Sequence, residues 1–124
     1  SRSLQSGIIE SLPGPANTLA DGAATPSVGL HTFPLLQQLD DFYEVDEIQI
    51  AYWTQWLQHL LKLHVEPTSA MSMAAVTSWA LEAPKGQTAL VILTGGNISQ
   101  QSMQKIWATD YLLQPPNLTE QEQD

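Results

Sequence analysis

From Glu47 onward, apolar side chains return at three- and four-residue intervals: Ile48, Ala51, Tyr52, Trp56, Leu60 and Leu63. That recurrence predicts a long amphipathic helix reaching about Leu63. Asp46 stands where an N-cap belongs, Gln49 completes a capping box, and Val45 and Ile50 are placed as a hydrophobic staple. Val65-Glu66-Pro67 ends this helix, because proline disfavours helical geometry in the residue before it. A second helix is predicted over 68–82, where Ala70, Ala74, Ala75 and Ala80 let neighbouring backbones approach closely. Pro84 and Gly86 stop it.

Thr88 to Thr94 has a different pattern. Its apolar run is continuous, as expected of a strand covered on both faces in a parallel sheet. Gly95-Gly96 turns the chain, and Ser99 is placed to cap a helix running to about Asp110. Asp40 to Val45 reads as a short strand with an acidic lead-in, and Pro34 opens a short helical patch within His31 to Leu39. Residues 1–31 hold four of the seven glycines and three of the eight prolines, and read as mostly loop. Two regions follow, a folded portion at 1–113 and a flexible acidic tail at 114–124.

The order of elements predicts an α/β architecture, a partial open parallel sheet with flanking helices. A strand apolar throughout needs neighbours on both edges, and only two strands are visible. The chain therefore reads as part of a larger sheet.

Composition narrows the partners. Thirteen acidic side chains stand against Arg2, Lys62, Lys85 and Lys105, for a net charge of −9. Nucleic acid and anionic membranes would need a basic footprint, so both are excluded as partners. The longest purely apolar run, Ala89 to Leu93, is far short of the ~20 residues that cross a bilayer. With no cysteine the chain fits a reducing compartment, and a cytoplasmic location is expected. Four Trp, three Tyr and two Phe are many aromatics for 124 residues, and a core or an interface should hold some of them.

Several candidate constellations fail on geometry. His59 and His64 lie roughly 140° apart around a helix, so they cannot share a metal. Asp40, Asp41 and Glu44 lack the spacing of a calcium loop. No metal site is expected. There is no Gly-x-Ser-x-Gly elbow, no Walker loop and no Gly-x-Gly-x-x-Gly turn. Thr94-Gly95-Gly96-Asn97 remains, at the carboxyl end of the predicted strand, where open α/β sheets bind ligands. A tight turn using glycine for backbone freedom is the alternative reading of the same residues.

Three segments taken together resemble one family. Leu19-Ala20-Asp21-Gly22, Glu66-Pro67-Thr68-Ser69-Ala70 and Ile92-Leu93-Thr94-Gly95-Gly96-Asn97 occur in the order and spacing of the fold-type II pyridoxal-phosphate (PLP) enzymes. The serine/threonine dehydratases and serine racemase are the most similar group, over about Leu4 to Asn97. The resemblance implies cofactor-binding roles for Thr94, Gly95, Gly22, Glu66 and Asp21. Thr94 falls where the family places a hydroxyl, usually serine, on the pyridine nitrogen. Glu66 matches an acidic residue near the ring, and Asp21-Gly22 a loop beside cofactor and substrate. Ser69 replaces a glycine that many relatives have.

The family's reactive lysine and phosphate-cradling glycine run have no match here. Hence no catalytic residue is assigned to this chain. The resemblance implies a C-terminal portion of the large domain of an L-serine/L-threonine dehydratase, releasing a 2-oxo acid and ammonia and inactive when isolated. Its expected partners are the rest of the catalytic domain or another copy of the chain, with a small amino acid as substrate and homo-oligomerisation. A serine racemase portion and a non-catalytic interaction module stand as alternatives.

Overall fold

The computed structural model describes residues 1–117. Its axis is helix α3, Glu47–Leu61, which begins where the sequence predicts: Asp46 accepts the Gln49 N–H at 2.8 Å. Lys62 then adopts a left-handed conformation, φ 57°, and its N–H closes the helix on the Gln58 carbonyl. Before it come α1 (Arg2–Ser6), a 3-10 turn (Asp21–Ala23) and α2 (Phe33–Leu36). After it come α4 (Pro67–Ala70), α5 (Ser72–Glu82), α6 (Gln100–Ile106) and a second 3-10 turn (Tyr111–Leu113).

The face that α3 buries differs from the predicted stripe. Ile48 is 64% exposed, Leu60 57% and Leu63 63%, while Ile50, Ala51 and every residue from Trp53 to Leu57 are buried. The reason is that α4, α5, α6 and the second 3-10 turn all gather around the middle of α3. Its ends project beyond them. Trp53, Trp56 and Leu57 join Val65, Ala70 and Ala74 in one core, against which Val45, Tyr52, Leu93 and Leu112 also pack.

The middle of α3 carries two fully buried polar side chains, and both are satisfied. Thr54 donates to the Ile50 carbonyl at 2.7 Å. Gln55 donates to the carbonyls of Ile106 and Thr109, each at 2.6 Å, and accepts the Tyr111 N–H at 2.9 Å. These bonds turn the chain after α6, which therefore ends at Ile106 rather than near Asp110. Tyr52 and Trp56 both donate to the Gln114 carbonyl, at 2.9 and 3.1 Å. The predicted tail from 114 thus starts at a fastened residue, and its part from 118 onward lies outside the described residues.

Two short elements refine the remaining expectations. Residues 1–31, read as mostly loop, begin with α1, closed by left-handed Gly7 at φ 76°. The helix predicted over 68–82 is divided into α4 and α5 at Met71, where a tighter turn bonds the Ala74 N–H to the Met71 carbonyl.

The sheet expectation is corrected. Among the described residues there is no β-strand, neither at Asp40–Val45 nor at Thr88–Thr94. The apolar run is also open where it was expected to be covered: Leu90 is 89% exposed and Ile92 73%, while Val91 and Leu93 are half-buried. Burial alternates along the run, because the helices cover one side of it only. With no second segment beside it, its backbone has nothing to form a ladder with.

Candidate functional site

Glu66, Thr68 and Ser69 form a hub that draws together the loops singled out in the sequence. Pro67 is fully buried and opens α4, so the three polar residues on either side of it are set by a rigid turn. The Ser69 and Ala70 N–H groups both donate to the Glu66 carbonyl, at 3.1 and 3.0 Å, which fixes Glu66 at the head of that turn.

Each hub residue meets a different partner. Thr68 Oγ1 accepts the Gly22 N–H at 3.0 Å. A Cβ on Gly22 would stand 2.9 Å from that hydroxyl, so the approach needs glycine. The Leu19 N–H donates to the Glu47 carboxylate at 2.7 Å, and the Asp21-Gly22 turn is thereby held at both ends. Glu66 lays its carboxylate over Gly95: a Cβ there would be 2.0 Å from Oε2. Gly95 also has φ +73°, which L-residues rarely adopt. Gly96 packs as closely, since a Cβ would be 2.6 Å from the His64 carbonyl.

Ser69 holds Thr94. Its hydroxyl accepts the Thr94 N–H at 2.9 Å, donates to the Thr94 carbonyl, and lies 3.3 Å from the Thr94 hydroxyl. Ser69 is buried, whereas Thr94 and Gly95 remain exposed.

The structure thus gathers Gly22, Glu66, Thr94 and Gly95 around α4, with Asp21 opening the turn that carries Gly22. Sequence reasoning quoted Thr68 and Ser69 within a motif but gave them no partner, and it did not single out Glu47. The signal for the first two was present: two hydroxyl residues directly behind a helix-opening proline, beside a motif already in view. Glu47 gave none, because it bonds a residue 28 positions away.

Chemically the wall offers a neutral hydroxyl and a carboxylate, with two glycines that let Thr68 and Glu66 pack against their loops. That set suits the edge of a flat aromatic ring bearing a nitrogen acceptor. It contains no basic residue, so it does not suit a phosphate. Elsewhere, a cleft of about 290 Å³ runs between Trp79, Val76, Tyr43 and Leu90. Among the described residues no group of three or more His, Cys, Asp or Glu side chains is placed to hold a metal ion. No helix among them is long and apolar enough to cross a membrane.

Comparison with known proteins places the chain beside one family. A family model described as "Pyridoxal-phosphate dependent enzyme" matches residues 1–95. Serine racemase of Rattus norvegicus is 37% identical over 92 residues, covering 72% of this chain and 27% of that protein. L-threo-3-hydroxyaspartate ammonia-lyase of a Pseudomonas species is 35% identical over 98 residues, covering 78% and 30%. The crystal structure of a threonine deaminase from T.th. superposes with a TM-score of 0.71 at 38% identity, covering 79% of this chain and 33% of that one. The chain therefore spans between a quarter and a third of the length of these relatives.

Proposed function

The chain belongs to the pyridoxal-phosphate dependent enzyme family, and from that premise we propose that Asp21, Gly22, Glu66, Thr94 and Gly95 form the ring-facing wall of a cofactor site in an L-serine/L-threonine ammonia-lyase. The observation that carries this reading is the convergence of two distant loops on α4, through Thr68–Gly22 and Ser69–Thr94. When bound, the cofactor supplies an electron sink for β-elimination of an amino acid to a 2-oxo acid and ammonia.

The residues of the chain bind and orient. The exposed Thr94 hydroxyl has one proton to donate to a ring nitrogen. Being neutral, it holds that nitrogen without protonating it, which leaves the ring a weaker sink, adequate where a leaving group departs promptly. Glu66 sets a carboxylate beside it, and Gly22 and Gly95 allow their loops to close on Thr68 and Glu66. The reactive lysine and the phosphate cradle come from parts of the catalytic domain other than this chain, so the chain alone performs no turnover. A cytoplasmic homo-oligomer completes this reading.

Two other readings each have a supporting observation. The identity with rat serine racemase supports racemisation on the same wall. The exposure of Leu90 and Ile92 supports a non-catalytic association module.

The test uses the full chain with millimolar pyridoxine 5′-phosphate, which has the ring and phosphate but no aldehyde to label lysines. Amide resonances of Gly22, Thr94 and Gly95 should shift, and Thr94→Val should abolish the effect. No shift, or an equal one in the variant, overturns the wall. In parallel, PLP with L-threonine or L-serine should yield no 2-oxo acid above a Thr94→Val blank. Release of 2-oxo acid, or conversion of L-serine to D-serine, would overturn the statement that the chain alone performs no turnover.

A further inference from the structure

We propose that Ser69 is a positioning residue: it sets the direction in which Thr94 presents its hydroxyl to a ring nitrogen. The proposal rests on the cofactor-wall reading above and adds to it a residue that touches no ligand.

A hydroxyl has one proton and two lone pairs. Ser69 uses all three on a single residue. It accepts the Thr94 N–H at 2.9 Å, donates to the Thr94 carbonyl, and keeps its second lone pair for the Thr94 hydroxyl at 3.3 Å. Pinning the N–H and the carbonyl of one residue with one atom removes most of its backbone freedom. What remains at Thr94 is rotation about χ1, and the Ser69 oxygen selects among those rotamers as the hydroxyl's neighbour.

The placement of the two hydroxyl protons then gives two settings. While Ser69 donates to the carbonyl, the Thr94 proton can point back to Ser69. If the Ser69 proton turns instead to the Thr94 oxygen, the Thr94 proton is free to point outward, and accepting that bond makes it a stronger donor. The switch needs no heavy-atom movement. Ser69 is itself immobile: it is buried, its N–H is bonded to Glu66 and its carbonyl accepts the Ser72 hydroxyl at 2.6 Å.

The same α4 turn holds the opposite loop through Thr68 and Gly22. That bond is an internal control, since a general loosening of α4 would disturb both loops. Loss of the Ser69 hydroxyl alone should disturb only Thr94.

The experiment is NMR on the full chain, wild type against Ser69→Ala and Ser69→Thr. Three-bond couplings to Thr94 Cγ2 report its χ1 rotamer, and [¹⁵N-ring]pyridoxine 5′-phosphate reports hydrogen bonding at the ring nitrogen. Wild type should show one rotamer and a shifted ring nitrogen. Ser69→Ala should show averaged couplings, about tenfold faster exchange of the Thr94 amide, and a ring shift at least halved, with the Gly22 amide unchanged. Ser69→Thr should restore both signatures, because it keeps the hydroxyl.

Averaged couplings in the wild type would overturn the proposal without recourse to a variant. So would a Ser69→Ala protein with wild-type couplings and ring shift, although that result leaves the wall itself intact. Absence of any ring shift in wild type would instead sink the wall reading and the proposal with it.

Discussion

Between Ile50 and Leu57 every side chain of α3 except Tyr52 is buried, whereas from Thr88 to Thr94 only Val91 and Leu93 are even half covered. The second stretch is the more uniformly apolar of the two. Its hydrophobicity is therefore not what decides its burial. α3 finds α4, α5, α6 and the C-terminal turn within its own chain, and it can hold Thr54 and Gln55 in the interior because backbone carbonyls receive their protons. The run at 88–94 packs on one side, while among the described residues Leu90 and Ile92 on its other side stay exposed. Burial needs a partner surface as well as an apolar one.

Perturbation at α3 should have the largest effect. Gln55→Leu keeps the volume but strands the Ile106 and Thr109 carbonyls and the Tyr111 N–H. Denaturant titration should show a loss of about 3 kcal/mol, on the scale of 1–3 kcal/mol for each buried group left unpaired. A loss under ~1 kcal/mol would mean that water replaces Gln55 and that the contrast with 88–94 is weaker than the geometry implies.

At the junction of the two regions, Gly95→Ala forces an unfavourable φ and pushes the Glu66 carboxylate aside. Because that carboxylate ends a flexible side chain, the cost should be only about 1–2 kcal/mol. Its clearer signature is displacement of Glu66 and Thr94 resonances, with those of α3 unchanged.

Alkaline pH gives a smaller test. Partial burial raises the Tyr52 pKa above its ordinary 10.0, so the folded state keeps the phenol proton that donates to Gln114. The native state then binds more protons than the unfolded chain above about pH 10, and stability falls as pH rises through the folded pKa. Tyr52→Phe should flatten that fall without removing it, since Tyr43 is also raised, chiefly by its hydrogen bond with Asp41. An unchanged profile would show that Tyr52 is not linked to folding.

The smallest effect on stability should come from the exposed run. Leu90→Ser and Ile92→Ser, at 89% and 73% exposure, should change stability by no more than about 0.5 kcal/mol. Light scattering should nevertheless show reduced self-association. A large destabilisation would mean that the run is covered in solution, and the comparison with α3 would fail.

Much of the local structure was legible from neighbouring residues. The Asp46 cap, the Pro34 start of α2 and the Ser99 cap all depend on side chains within a few positions of the backbone they serve, whereas α3 ends at Leu61 through left-handed Lys62, before the proline expected to stop it. The motif residues were legible for the same reason, since each lies in a short segment of recognisable order. The buried face of α3 was not, because Gln55 looks polar until the carbonyls of residues 106 and 109 are brought to it.

By itself the sequence determined the family, the starts of α3 and α6 and the three motifs from which the candidate wall is proposed. Only the tertiary structure decided which side of α3 is interior, that the apolar run stays open on one side, and that Ser69 is what grips Thr94. The division has one physical cause. Caps, turns and helix starts are settled by contacts a few residues apart, whereas burial and hydrogen bonding across 25 to 54 positions depend on which surfaces the folded chain brings together.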